Sequence, residues 1–361
     1  MKITSVTTSV VDFSQGFSWG NVRPLEVIGV MLRIKTDSGA EGFSGAWTGP
    51  LPAAGTAKLV DEMAHTHLLD ADPMARAQLL GRLSQAVRVG LPLPVVGIID
   101  CALWDLVGRV LGQPISVLLG RQRDRIKACA SAPAVDDEVQ CEEMVAAILE
   151  QGFGAIKLHV CNDLDKDLAV LRAARYAAGN DVELMMDAMG LYDRSSAQRL
   201  GQEMDELGYR WFEDPLAETD LQGWMELRGA LATPLAGVDS VRHTVRDYSN
   251  AMAMSPFDIL RMDGARNGIT ELFDLAKLAR AQGLACEAHS FGPVMAQAAN
   301  IQVAMAVDNG SFFELPVPIG GLDNGALGGF PLDADGCVVA PEGPGNGLQL
   351  DEAALRTMQV A

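Results

Sequence analysis

ELMMDA at 183–188, RWFEDP at 210–215 and PLAGVDS at 234–240 share one pattern, a short apolar run that leads into an acid. Equal gaps of 26 residues separate the three acids, which are Asp187, Glu213 and Asp239. One strand, one helix and two short loops occupy about that length, so each run predicts one βα unit. If the three strands are parallel neighbours, their acids meet at one end of the sheet. Three converging oxygen ligands are what a hard cation such as Mg²⁺ binds.

The same rhythm fills the chain beyond Arg123. Eight short apolar runs recur at intervals of about 25 to 30 residues, and they begin at 125, 155, 183, 209, 234, 258, 285 and 311. Amphipathic helical spacing lies between them, for example in Ala197, Leu200, Met204 and Leu207. This alternation of strands and helices predicts an α/β fold, and specifically a barrel of the (β/α)8 type. The alternative is an open doubly wound sheet, which requires a Gly-rich phosphate turn that the sequence lacks.

The first 123 residues follow a different pattern. Strand-like alternation over 1–45 gives way to helical spacing from 52 to about 119. This order predicts a smaller domain made of a sheet and helices. The Gly- and Pro-rich stretch 320–347 predicts an irregular tail that returns to cover this domain.

Two loops of the first domain carry aromatic side chains. The loop 12–21, DFSQGFSWGN, contains Trp19, and the loop at 46–50 contains Trp47. Each loop is either a lid over a site or a surface hairpin whose aromatics pack on the neighbouring domain. The sequence leaves both interpretations open, and substrate specificity is expected to lie in the loops 12–21 and 46–55.

Composition narrows the classes of partner and compartment. The formal net charge of −19 repels a phosphate backbone, which argues against nucleic acid and anionic membranes. The six cysteines are scattered without a CxxC pair, as expected of reduced thiols in the cytoplasm. The longest apolar stretch, 91–112, is interrupted by Asp100, Asp105 and Arg109, so it predicts a core helix and not a membrane span. The N-terminus has no apolar core of signal-peptide length, and we therefore predict a cytoplasmic protein.

Ionisable side chains end seven consecutive predicted strands. In chain order they are Lys157 with His159, Asp187, Glu213, Asp239, Asp263, His289 and Glu314. Because the C-terminal strand ends build the active site of such a barrel, this series predicts the site residues. Structural alternatives exist: an acid after a strand is often the N-cap of the next helix, as Asp214 can be, and a lone histidine is often a core residue. A lysine buried in an apolar strand, however, needs a partner or a task.

Several stretches together resemble the enolase superfamily, and within it the mandelate racemase subgroup. They are IIDCALWDLVGRVLGQPISVLLG (98–120), WFEDP (211–215), the strand that leads to His289 and APEGPGNGLQLDEAAL (340–355). The resemblance implies an α+β capping domain at 1–123, a (β/α)7β barrel at 124–317 and a C-terminal segment at 318–361 that returns to the capping domain. It also implies one Mg²⁺ per subunit and a homo-oligomer.

The resemblance assigns a role to each residue of the series. It implies that the metal ligands are Asp187, Glu213 and Asp239. Lys157 and His159 correspond to the family's Lys-x-Lys pair, and Asp263 and His289 to its Asp–His dyad. Glu314 corresponds to the carboxyl group that hydrogen-bonds the intermediate.

The chain departs from the family pattern in four places. His159 replaces the second lysine of the pair, and Asp239 stands where the subgroup usually has Glu. The DGARNG stretch that begins at Asp263 is one residue shorter than usual. Met189 stands two residues after the first predicted metal ligand, where the family often has a polar residue. A less polar pocket is therefore predicted, lined by Met189, Phe291, Met295, Trp19 and Trp47.

These residue types suit the removal of a proton α to a carboxylate. Such a proton is weakly acidic, because its loss puts a second negative charge on the substrate. A divalent ion offsets that charge, and Lys157 and a protonated Glu314 are expected to assist. His159 is the predicted base, since histidine titrates near neutrality, and His289, oriented by Asp263, serves the opposite face.

The first prediction is therefore a dehydratase that converts a hydroxy acid or acid sugar to a 2-keto-3-deoxy acid. The alternative is a racemase or epimerase of a small, partly apolar α-substituted carboxylate. A third interpretation is a barrel that binds metal and ligand without turnover.

Overall fold

The computed structural model describes residues 1–14, 17, 19, 25–237, 244–252 and 256–360. Its N-terminal part begins with an antiparallel sheet of three strands, β1 (Ile3–Asp12), β2 (Ile28–Thr36) and β3 (Glu41–Trp47). The helices that follow are α1 (Ala53–Leu68), α2 (Arg76–Val87), α3 (Leu93–Leu111) and α4 (Ile115–Leu119). The sheet packs closely on α3 at Gly42, where a Cβ atom would lie 2.5 Å from the backbone nitrogen of Leu106. Only glycine permits this approach.

The part of the chain that follows is built around eight parallel strands. Their order in the sheet follows the sequence. They are β4 (Arg125–Ser131), β5 (Ala155–His159), β6 (Glu183–Asp187), β7 (Trp211–Glu213), β8 (Leu235–Gly237), β9 (Ile259–Met262), β10 (Ala285–Ala288) and β11 (Phe312–Pro316). The last strand, β11, pairs with the first, β4. This order is that of a barrel.

Helices cover the outside of these strands. They are α5 (Glu138–Glu150), α6 (Leu164–Ala178), α7 (Arg194–Leu207), α8 (Leu221–Ala230), α9 (Val245–Met252), α11 (Ile269–Ala281) and α12 (Val294–Ala304). The short helix α10 (Gly264–Asn267) follows β9 and packs against α3, where a Cβ atom at Gly97 would lie 2.3 Å from the carbonyl oxygen of Arg266. The N-caps of α5, α6 and α7 are Asp137, Asp163 and Asp193, and each carboxylate accepts a backbone N–H of the first turn.

A side chain joins the two edges of the sheet, β10 and β11. The carboxylate of Glu287 on β10 accepts the N–H of Ser311 at 2.7 Å and the N–H of Phe312 at 3.1 Å. The N–H of Cys286 donates to the carbonyl of Asn309 at 2.9 Å. The buried Glu287 thereby takes the place of ladder hydrogen bonds and closes the barrel.

The C-terminal segment contacts both parts. It contains β12 (Ala326–Leu327), β13 (Cys337–Val339), β14 (Gln349–Leu350) and α13 (Glu352–Met358). β13 pairs antiparallel with β4 of the barrel. The N–H of Val360 donates to the carbonyl of Val10 on β1 at 3.0 Å, so the chain returns to the N-terminal sheet.

Hydrogen bonds join the N-terminal helices to the barrel helices at the C-terminal ends of the strands. Asp100 on α3 accepts the N–H of Thr270 at 2.8 Å and its hydroxyl at 2.9 Å. The indole of Trp104, also on α3, donates to the same hydroxyl oxygen at 3.0 Å. These contacts hold the N-terminal domain over the end of the barrel where the site residues are expected.

The predicted (β/α)7β barrel with an α+β capping domain is confirmed, and the alternative of an open doubly wound sheet is wrong, because β11 returns to β4. The proposed domain boundaries stay a prediction. All six cysteines are free thiols. Among the described residues, no helix has both the length and the apolarity needed to cross a membrane.

Candidate active site

Alternation along the strands decides which side chains face the inside of the barrel. One layer of apolar side chains fills the interior: Cys129, Ala155, Met185, Trp211, Ala236, Ile259 and Phe312. Since side chains on a strand alternate, residues two positions further on face the same interior, nearer the C-terminal ends. Among the described residues, the layer above the apolar one therefore consists of Ser131, Lys157, Asp187, Glu213, Arg261, Glu287 and Glu314.

Lys157 lies at the centre of this upper layer. Its Nζ is 2.9 Å from Glu314 Oε1, 3.1 Å from Glu213 Oε1 and 3.5 Å from Asp187 Oδ2. Burial alone would lower the pKa of Lys157, but the carboxylates of Glu213, Glu314 and Asp187 outweigh burial and raise that pKa. Lys157 is therefore a fixed cation in this site.

Asp187 and Glu213 have an arrangement that fits a divalent metal ion. Their Cα atoms are partners on β6 and β7, and both carboxylates reach one cation, the Nζ of Lys157. The N–H of Met189 donates to Asp187 Oδ1 at 2.8 Å, and the indole of Trp211 donates to Glu213 Oε2 at 3.1 Å. These bonds fix both carboxylates. Converging hard oxygen donors of this kind suit Mg²⁺.

The third predicted ligand, Asp239, lies outside the described residues. Within the described ranges, no group of three or more His, Cys, Asp or Glu side chains is placed to hold a metal ion. The described chain thus brings two of the three predicted ligands together. The complete ligand set stays a prediction.

His159 shares the inner face of β5 with Lys157. Its Nδ1 is 2.6 Å from the carbonyl oxygen of Ala132. Because a carbonyl only accepts, the neutral imidazole carries its proton on Nδ1 and presents the lone pair of Nε2. Nε2 lies 3.5 Å from Asp187 Oδ2. The predicted base is therefore beside Asp187, one of the predicted metal ligands.

Asp263 and His289 form the predicted dyad, with His289 Nδ1 3.2 Å from Asp263 Oδ2. Asp263 Oδ1 accepts the N–H of Ala265 at 2.8 Å and the amide of Asn300 at 3.0 Å. Asp263 is thus both the N-cap of α10 and the partner of His289. Burial would raise the pKa of the Asp263 carboxyl, but His289 and Arg266 outweigh burial and lower it. The carboxylate is ionised.

The two histidines lie on different sides of the barrel mouth. His159 ends β5 and His289 follows β10. In the strand order, β6 to β9 separate them in one direction, and β4 and β11 separate them in the other. A substrate between them would be approached from two sides.

Arg261 was not among the predicted site residues, although it is part of the upper layer. Its Nε is 3.0 Å from Glu213 Oε1 and its Nη2 is 2.6 Å from Glu314 Oε2. Burial would raise the pKa of Glu314, but Lys157, His289 and Arg261 outweigh burial and hold that pKa well below its usual range. Glu314 is therefore ionised here, in contrast to the protonated group that we predicted, because it faces the cations of Lys157 and Arg261.

Two buried hydroxyl groups were also not predicted. Ser131 ends β4, and Ser290 follows His289. Among the described residues, neither Oγ has a hydrogen-bond partner. A buried hydroxyl group without a partner costs free energy, so both are candidates for hydrogen bonds to a bound substrate. No feature of the sequence distinguishes them from other serines.

The predicted lid aromatics lie on the site. The Trp19 ring is 5.0 Å from the His159 ring and 4.7 Å from the Phe291 ring, measured between centroids. Trp47 lies 6.1 Å from Phe291. The Trp19 indole also donates to the carbonyl of Ser131 at 3.5 Å. The aromatics of both loops therefore pack against one wall of the site.

Two residues beside the predicted metal ligands have left-handed backbone conformations, with φ of 51° at Met189 and 40° at Asp214. Met189, the remaining lid candidate, is half-buried, and its N–H orients Asp187. The interpretation of Asp214 as an N-cap is wrong. α8 begins only at 221, and its N-cap is Asp220, whose carboxylate accepts the N–H of Gly223.

Two family models match the chain. Residues 21–120 match the N-terminal domain of the mandelate racemase / muconate lactonizing enzyme family. Residues 140–354 match the enolase C-terminal domain-like model. Together the models cover β2, β3 and the helices of the N-terminal part and most of the barrel.

Individual proteins are similar over comparable lengths. The chain is 31% identical to D-galactarolactone cycloisomerase of Agrobacterium fabrum over 98% of each chain. It is 28% identical to L-talarate/galactarate dehydratase of Salmonella typhimurium, over 73% of this chain and 68% of the relative. The solved structure of D-glucarate dehydratase from Agrobacterium tumefaciens, complexed with magnesium, has a TM-score of 0.89 and 28% identity and covers 100% of both chains.

Proposed function

Because the chain belongs to the mandelate racemase/muconate lactonizing enzyme family of the enolase superfamily, we propose that it removes the proton α to the carboxylate of a small hydroxy acid or acid sugar. It is an enzyme of the lyase or isomerase type, as its dehydratase and cycloisomerase relatives are. The observation that carries the proposal is the buried layer in which Lys157 meets the carboxylates of Asp187, Glu213 and Glu314.

We assign Mg²⁺ to this layer, one ion per subunit, with Asp187, Glu213 and Asp239 as ligands. Members of the superfamily use Mg²⁺, and the magnesium complex of the D-glucarate dehydratase supports the assignment. When bound, the ion offsets the negative charge that develops on the substrate carboxylate as the α-proton leaves. Lys157 adds a fixed positive charge beside it.

His159 is the proposed base, and His289 the proposed acid. With Nδ1 bonded to Ala132, His159 takes the α-proton on Nε2. The C–O bond at the β-carbon then breaks, and protonated His289 gives its proton to the leaving oxygen, which departs as water. The resulting enol converts to the 2-keto-3-deoxy acid. Asp263 holds His289 in the orientation that this transfer requires.

Racemisation or epimerisation is the second candidate. The placement of His159 and His289 on different sides of the mouth favours it, because one histidine can remove the α-proton and the other can return one to the opposite face. The apolar wall made by Trp19 and Phe291 favours a partly apolar carboxylate.

A substrate screen tests the proposal. A library of hydroxy acids and acid sugars is incubated in D₂O with Mg²⁺, and keto-acid formation and exchange of the α-proton are followed in parallel. Dehydration gives a keto acid, whereas racemisation gives exchange without one. If Mg²⁺ binds but no library member reacts or exchanges, the chain is a metal-binding barrel without turnover and the proposal is wrong.

We also propose a cytoplasmic homo-oligomer that acts on a small carboxylate, with no nucleic acid or membrane as partner. The six free thiols support a reducing compartment, and the net charge of −19 opposes binding to polyanions. Light scattering of the purified protein tests the oligomer.

A further inference from the structure

Arg261 contacts both a proposed metal ligand, Glu213, and the carboxylate of Glu314 in the same buried layer. We propose that Arg261 is a positioning residue, a built-in counter-cation that holds Glu213 and Glu314 in place without metal and weakens the binding of Mg²⁺. The inference rests on the proposed function, because it takes Glu213 as a metal ligand. It adds a role for a residue that lies one layer below the barrel mouth.

Geometry makes Arg261 a bridge between the two acids. Its Nε is directed to Glu213 at 3.0 Å and its Nη2 to Glu314 at 2.6 Å, so the planar guanidinium spans both carboxylates. All three side chains are almost completely buried, with 2%, 0% and 3% of their area exposed. The guanidinium also lies 5.9 Å from the centre of the Trp211 ring. The side chain is therefore enclosed on several sides.

The charges of the layer explain why a second cation matters. Asp187, Glu213 and Glu314 bring three carboxylates into one buried volume, and Lys157 contacts all of them. A buried carboxylate is costly unless it is paired. With a neutral residue at 261, Lys157 would be the one cation that the described residues of this layer offer to all three carboxylates. Arg261 thus lets the layer stay assembled while no metal is bound.

The contact of Arg261 with Glu213 also makes this carboxylate a weaker ligand for Mg²⁺. Glu213 Oε1 already accepts from Lys157 and Arg261, and Oε2 accepts from Trp211. A guanidinium keeps its charge in proteins, and in a buried site it repels a divalent ion bound to the same carboxylate. We expect this repulsion to weaken Mg²⁺ binding about tenfold.

Three variants test the inference by calorimetric titration of the EDTA-treated full chain with Mg²⁺. Arg261→Gln removes the charge and keeps a hydrogen-bond donor, and Arg261→Lys keeps the charge. Arg228→Gln is the matched control, since Arg228 is half-exposed and pairs with Asp258 on the outside of the barrel. Arg261→Gln should bind Mg²⁺ about tenfold more tightly than the wild-type chain. Arg261→Lys and Arg228→Gln should stay within about threefold of wild type.

Thermal unfolding gives a second readout. The metal-free Arg261→Gln protein should melt at a lower temperature than the wild type, and Mg²⁺ should raise its Tm by a larger amount. Equal or weaker Mg²⁺ binding by Arg261→Gln would overturn the inference. If that variant does not fold, tighter binding by Arg261→Lys would overturn it, and unchanged binding would support it. A wild-type chain that binds no Mg²⁺ would instead refute the proposed function.

Discussion

The Nδ1 atom of His159 lies 2.6 Å from the carbonyl oxygen of Ala132. This bond fixes the tautomer of the neutral imidazole, so that Nε2 is the atom available to take a proton. The basic nitrogen of His159, the residue predicted to correspond to the family's second lysine, is therefore directed away from the carbonyl of Ala132. Lys157, two residues earlier on the same face, supplies the fixed charge.

Replacing His159 by Asn should remove the base and leave the fold intact. We expect the rate of α-proton removal to fall about 1,000-fold, because general-base catalysis contributes roughly that much. The measurement is deuterium incorporation at the α-carbon of the substrate found by the screen. His65→Asn is the control, since His65 is exposed on α1 and bonds within its own helix. Near wild-type exchange by His159→Asn would show that another group is the base.

Asp263→Asn tests whether the dyad orients His289. The substitution removes the carboxylate that accepts from Nδ1, and an amide allows the wrong tautomer. Product formation should fall about 100- to 10,000-fold, whereas KM should change little. Asp165→Asn, at an exposed ion pair on α6, should have no effect. A loss confined to KM would contradict the orienting role.

Asp100 predicts a specific pH dependence of stability. Burial raises the pKa of its carboxyl to about 6, although the N–H and hydroxyl of Thr270 both donate to it. Because the folded pKa lies above the unfolded one, Asp100 stabilises the fold below about pH 4. This contribution is lost as the pH rises through about 6.

Asp100→Asn should remove about 3 kcal/mol of that pH dependence. The check is the free energy of unfolding in urea between about pH 4 and pH 7, with Asp165→Asn as the exposed control. If the wild type and Asp100→Asn lose stability in parallel over this window, Asp100 is ionised throughout and the argument fails.

The sequence was sufficient to predict the barrel and to place, among the described residues, the ionisable side chains at the ends of its strands. Equal spacing indicated that Asp187 and Glu213 are neighbours, and they are partners on β6 and β7. Because side chains alternate along a strand, Lys157 and His159 were predicted to share one face, and both are buried in the interior. These relations depend on repeats along the chain, which a sequence displays directly.

Arg261 and Glu287 could not be recognised in the same way. Both lie inside strands, where a charged residue usually faces solvent, and their partners come from distant parts of the chain. Arg261 meets Glu213 and Glu314, and Glu287 meets the backbone of Ser311. Only the closed barrel shows that both point inward. The contact of Arg261 with Glu314 is also one reason why the predicted protonation of Glu314 was wrong.

The most direct test of the account compares Glu213→Gln with the wild type in one experiment, metal-dependent α-proton exchange in D₂O. Glu203→Gln, at an ion pair with Arg172 on the barrel surface, is the matched control. We predict that wild type and Glu203→Gln exchange the α-proton of their substrate with Mg²⁺ and not with EDTA. Glu213→Gln should bind no Mg²⁺ and exchange nothing. Exchange by Glu213→Gln, or by the wild type in EDTA, would contradict the metal-assisted mechanism.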